Sequence, residues 1–148
     1  MPDIRPASAD LLQEISHFQA VTAETFGFSL TDTPGDIVAK IKDQIAQIED
    51  DGTELDEDSL AGLAVVLGEQ YVRQFGWHWA EVNFKDDGED AHYVACVLIA
   101  DDSLAIAPVW WISEILDGEK SNSILLNFNM VAANQVPLVE PGRALILH

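Results

Sequence analysis

The chain has 148 residues, 48% of them hydrophobic, and its 26 acidic residues face seven basic ones for a formal net charge of −19 at pH 7. This length and apolar content suit a single domain with its own core, and no apolar run reaches the roughly 20 residues that span a bilayer. Nucleic-acid backbones and anionic membranes are held by Lys and Arg, so neither is expected as a partner.

A single cysteine, Cys96, excludes an internal disulfide and a cysteine-based zinc site. The opening "MPDIRPASAD" shows no basic region followed by an apolar block, so a cytoplasmic location is expected. The acidity fits solubility or a salty cytoplasm. Long-range attraction for a basic protein partner, weakened as salt rises, and mimicry of nucleic acid are the other readings of the charge.

Residues 8–26 read as a helix with Leu11, Leu12, Ile15, Phe18, Val21 and Phe26 on its apolar stripe, Ser8 as cap and Gly27 as stop. "TDTPGDIVAKIKDQIAQIED" predicts a second helix, capped near Thr33 with Pro34 in its first turn and a stripe of Ile37, Ile41, Ile45 and Ile48. The acidic loop "DDGTELDEDS" leads into a third helix from about Asp56 to Phe75, whose first-turn acids suit the positive end of the helix dipole. Its segment "LAGLAVVLGEQYV" is apolar almost all round, which marks a helix buried at the centre of the fold.

Residues 77–84 and 91–100 form two strands joined by "KDDGED" in a hairpin. "DDS" is a second turn, and "LAIAPV" a third strand ending at Pro108. "PVWWISEILDG" is a short helix between Pro108 and Gly118. "SNSILLNFNMVAANQ" is a last helix, capped at Ser121 or Asn122 and closed by Pro137, and "ALILH" is a candidate edge strand. The expected fold is α+β: N-terminal helices and a buried central helix on one face of a small antiparallel meander, then two C-terminal helices, in one domain over 1–148.

The chemistry-bearing residues are scattered. If the hairpin turns at residues 87 and 88, His78 lies opposite Leu98 and His92 opposite Phe84. The two imidazoles are then about 20 Å apart and cannot share a metal or a proton. His17 and His148 fall in no ligand spacing. Cys96 sits mid-strand in "YVACVLIA", where desolvation favours the unreactive thiol. No nucleophile elbow, phosphate loop or dinucleotide fingerprint is present, so no cofactor is expected. A calcium loop centred on Gly52 would need an acid five residues earlier, where Gln47 stands; around Gly88 the corresponding positions hold Asn83 and Val94.

Two features point to binding. Glu69 and Arg73 are four apart on the central helix, the spacing of an ion pair or of a carboxylate-recognising arginine. Trp77, Trp79, Trp110 and Trp111 cluster within 35 residues. Trp77 and Trp79 share a strand face with Glu81 and Asn83, expected to point away from the helices, and Trp110 and Trp111 diverge by about 100°. Exposed tryptophans of this kind are binding anchors.

"LGEQYVRQFGWHW" (67–79) followed by "AIAPVWWISEILDGEKSNSILLNFNMV" (105–131) resembles a family of small uncharacterised bacterial domains. In that pattern an LGE-then-Arg helix runs into a glycine and a tryptophan-bearing strand, then a hairpin, a proline, a helix, an Asp-Gly stop and a helix opening on Ser. The matching positions are Leu67, Gly68, Glu69, Arg73, Gly76, Trp79, Pro108, Gly118 and Ser123, and the resemblance covers about the C-terminal half. Gln74, Phe75 and His78 depart from it, where small residues are usual. The resemblance implies no catalytic chemistry and a leaning toward small, acidic, immunity-like binding proteins.

The leading expectation is thus a non-enzymatic acidic protein binding a basic protein partner, in an immunity-like or regulatory role. One alternative is a small-molecule or enzymatic pocket around Glu69 and Arg73, walled by Tyr71 and Trp79. Another is a structural homodimer with the tryptophans at a two-fold interface.

Overall fold

The computed structural model describes residues 1–84 and 92–148; the expected hairpin connection at 85–90, with the Gly88 loop, and the strand start at position 91 lie outside the described residues. In chain order the elements are β1 (Asp3–Pro6), α1 (Ala9–Phe26), α2 (Pro34–Asp51), α3 (Glu57–Phe75), β2 (His78–Asn83), β3 (Val94–Leu98), β4 (Leu104–Ile106), α4 (Pro108–Leu116), α5 (Ile124–Ala132) and β5 (Leu145–Ile146). The class is α+β, as the periodicities predict.

Helix boundaries follow from capping chemistry. The Ser8 hydroxyl accepts from the Leu11 N–H at 3.1 Å, and the Asp56 carboxylate from Ser59 N–H at 2.7 Å, each satisfying a donor the first turn leaves free. Thr33 caps α2 ahead of Pro34. α3 stops at Gly76, whose φ of 71° turns the chain toward β2 in a conformation a side chain would strain. The last helix departs from expectation. It begins at Ile124, after Ser123, rather than beside Ser121 or Asn122, and the Asn122 amide N–H donates to the Lys42 carbonyl of α2 at 3.0 Å.

The sheet order is β1-β2-β3-β4-β5. The first four strands are antiparallel, and His78 stands opposite Leu98, the register expected from the hairpin. Two departures alter the meander. β1 is an added edge strand, and edges are where prolines such as Pro6 are tolerated. β5 pairs with β4 in parallel, since the chain crosses over through α4 and α5 before returning.

Ile37, Ile41, Ile45 and Ile48 are buried as the α2 stripe predicts, each contributing roughly 1.5–3 kcal/mol of transfer free energy. They join Leu63, Leu67 and Tyr71 of α3, Trp111 of α4 and Phe128 of α5 in the main core. The α1 stripe is weaker than predicted. Ile15 and Thr22 are buried, but Leu12 and Val21 remain exposed. α1 rests on α3 where Thr22 meets Gly62 so closely that a Cβ there would lie 2.0 Å from the Thr22 hydroxyl.

One expectation about the sheet is reversed. Trp77, Trp79 and Val97 belong to the face that meets the helices. The opposite face carries a second buried cluster of Ala80, Val82, Cys96, Leu98 and Ala105. Polar Glu81 and Asn83 suggested a solvent face, but they lie further along β2, opposite Arg5 and Asp3 of β1. One strand face therefore changes from apolar to polar along its length, with Asn83 itself buried.

Candidate functional site

The tryptophans are dispersed by this arrangement, and they form no shared exposed patch. Trp77 is buried against Tyr71 and Phe75, with ring centroids 5.4 and 6.1 Å away. Trp111 is fully buried. Trp79 is half-buried over α3, where Gly68 admits its ring: a Cβ at 68 would lie 2.5 Å from the indole. Trp110 is half-buried and packs on Phe84 of the second cluster at 5.5 Å. The strand-face expectation fails because the helices cover the face that carries Trp77 and Trp79.

Glu69 and Arg73 turn to different partners. The Glu69 carboxylate accepts from the Trp79 indole N–H at 2.9 Å, which fixes the ring across the helix. Arg73 donates to the Gln70 side chain at 2.6 Å and to the Asp32 carbonyl at 3.0 Å, tying α3 to the α1–α2 connection. The ion pair suggested by their spacing is not made, because each has a nearer partner supplied by the tertiary structure.

The histidines and the thiol also stand apart. His78 pairs with Asp102 at 2.8 Å on the surface, and His92 lies beyond the far end of the β2–β3 ladder. Burial pushes the Cys96 thiol up to about 12. Among the described residues no three His, Cys, Asp or Glu side chains are placed to share a metal ion. His148 is a position that spacing could not reveal. Its ring stacks flat on Trp111 with centroids 4.7 Å apart, and its Nε2 accepts from the Ala107 N–H at 3.0 Å. Burial, reinforced by Lys120, lowers this imidazole to about 4, with Glu114 opposing.

A hollow among the described residues lies elsewhere, between the end of α2, the loop into α3 and the end of α4. It measures about 560 Å³. Ile48, Leu55, Leu60 and Leu116 supply apolar lining, and Glu49, Glu54 and Asp117 supply carboxylates. Helix stops and starts create this mixture: α2 ends at Gly52, Asp56 caps α3, and the short chain between them sets Leu55 against the core while Glu54 stays in water. Glu49, Asp50, Asp51, Glu54, Asp56, Glu57 and Asp58 fall within ten residues without a base among them. The ion pairs among the described residues, Arg5–Glu81, Lys40–Asp32, His78–Asp102 and Lys120–Glu114, leave this segment without a neutralising cation. The acidic loop was legible as a charge run; its apolar lining required residues from three elements to meet.

Compared with protein-family models, with curated proteins and with solved structures, the chain finds no match.

Proposed function

We propose that this protein is a non-enzymatic binding protein that takes a basic segment of a protein partner into the groove walled by Glu49, Glu54 and Asp117. The observation that carries this reading is the coincidence, in one hollow of about 560 Å³, of apolar lining and carboxylates with no ion-pairing cation among the described residues. Such a surface complements a segment with Lys or Arg on one side and an aliphatic anchor on the other. The anchor side chain removes apolar surface from water, while the charges mainly speed encounter and select the partner. The whole-molecule charge of −19 extends that steering beyond the groove. An inhibitory role of the immunity type follows naturally if the bound segment belongs to a basic effector.

Glu69 and Arg73, the groups of the alternative pocket, are both hydrogen-bonded within the fold, which favours the groove. The test uses a fluorescein-labelled helical peptide of alternating Lys and Leu pairs, titrated with the full chain. Binding is expected to weaken steeply between about 0.05 and 0.5 M NaCl. The double substitution Glu49→Lys/Glu54→Lys is expected to weaken it about tenfold or more at low salt, each reversal removing an attraction of up to ~1 kcal/mol and adding a repulsion. Binding that is insensitive to both salt and these substitutions refutes the assignment.

A further inference from the structure

The outer side of α5 breaks the rule its inner side obeys. Ile124 and Phe128 are buried in the core, yet Leu126 is 61% exposed and Met130 41% exposed on the solvent side. A surface helix normally turns polar residues outward, and one apolar on both sides is a helix with something on each side. The apolar surface continues past the helix. Leu138 is fully exposed and Leu145 of β5 is 43% exposed. Between α5 and β5 lies a hollow of about 290 Å³ lined by Met130, Val131, Val136, Pro137, Leu145 and Leu147.

The charge pattern says what suits this face. Residues 121–148 contain one acid, Glu140, and one full base, Arg143, so the net −19 is carried by the remaining residues. A basic partner gains nothing from a neutral face, whereas a second copy can meet it there without opposing a charge at the contact. The features present are self-complementary. A protruding Leu138 stands beside an apolar hollow able to receive a leucine, and Glu140 and Arg143 line a neighbouring depression without an ion pair to each other. In a two-fold contact each feature of one copy meets its complement on the other, because residue i faces j and j faces i.

We propose that the face formed by α5, the segment 136–139 and β5 joins two copies of this chain. Leu138 of each copy enters the other's hollow, and Glu140 of each faces Arg143 of the other. The hollows of this face share no lining residue with the acidic groove, so dimerisation and partner binding are compatible.

Sedimentation velocity of the full chain over a concentration series, at about 0.05, 0.15 and 1 M NaCl, tests this. A dimer is expected, tightening at least tenfold from the lowest to the highest salt as the repulsion between two acidic copies is screened. This trend is opposite in sign to that of basic-peptide binding. Leu138→Glu/Leu145→Glu is expected to be monomeric at every salt with an unchanged circular dichroism spectrum. Arg143→Glu is expected to weaken the dimer and the charge swap Glu140→Arg/Arg143→Glu to restore it, a readout that does not depend on truncating apolar groups. A monomer at all concentrations in 1 M NaCl overturns the proposal, as does a dimer that the leucine substitutions leave intact. Co-flotation of the monomeric wild type with neutral phosphatidylcholine vesicles, lost in the leucine variant, also overturns it by assigning the face to lipid.

Discussion

The imidazole of His148 shows how one side chain gains a property from its surroundings. It is neutral because burial strips water from the ring and Lys120 nearby opposes a second positive charge; the ring is stacked on Trp111 and its Nε2 accepts from the Ala107 N–H. A proton there would bring a charge into a desolvated place and abolish an acceptor. Since the folded value of about 4 lies below the ordinary 6.5, the contribution to stability is complete above about pH 6.5 and is lost as the pH falls from there toward 4. The full shift is worth at most about 3 kcal/mol, less for the part of the ring that keeps water. His148→Phe, which preserves the stack and cannot titrate, is expected to be less pH-sensitive across that window. Urea midpoints for both proteins at about pH 7 and pH 4.5 check this, and parallel pH profiles refute it. Tyr71 behaves comparably at the other extreme: burial raises its phenol beyond any physiological titration, and it donates to Asn127 at 2.6 Å. The Asn127 amide donates in turn to the Leu147 carbonyl at 3.1 Å, so the core and the tail are joined through one side chain.

At the scale of elements, the docking of β2 on α3 depends on a missing side chain. A Cβ at Gly68 would lie 2.5 Å from the Trp79 indole and 3.0 Å from Val97. The indole cannot swing aside without giving up its bond to Glu69. Gly68→Ala is therefore expected to cost about 1–3 kcal/mol by overpacking, although alanine is the better helix former. Gly35→Ala in the first turn of α2 is the control, because its Cβ would meet nothing closer than Phe128 at 3.9 Å, and it is expected to be neutral or stabilising by up to ~1 kcal/mol. Denaturant unfolding of the two variants decides the matter. A Gly68→Ala protein as stable as the Gly35→Ala protein contradicts this packing.

For the whole molecule the governing quantity is the charge of −19 on 148 residues. Four of the six bases among the described residues join segments of the chain: Arg5 to Glu81, Lys40 to Asp32, Lys120 to Glu114 and the His148 carbonyl, and Arg73 to the Asp32 carbonyl. The acids at 49–58 are left to repel one another, held together by the apolar contacts beneath them. Salt should then stabilise the fold by screening. The thermal midpoint is expected to rise by about 5 °C between about 0.05 and 1 M NaCl, measured by circular dichroism at neutral pH. A flat or falling midpoint means that the repulsion is already relieved within the folded state.

Local and short-range patterns were enough to set out most of this architecture. The α2 isoleucines, the Ser8 and Thr33 caps, the span of α3 from about Asp56 to Phe75 and the pairing of His78 with Leu98 follow from periodicity, capping and turn length, which act over a few residues. The Trp77 and Trp79 face, the partners of Glu69 and Arg73, and the burial of His148 could be decided only in three dimensions. Spacing along the chain says which groups are able to meet. It does not say which of several partners is nearest once helices and strands have packed. Glu69 had Arg73 one turn away and Trp79 ten residues on, and the indole won because Gly68 let it lie against the helix. The groove has the same origin: its acids are adjacent in the chain, but its apolar lining exists only because α2, α3 and α4 converge there.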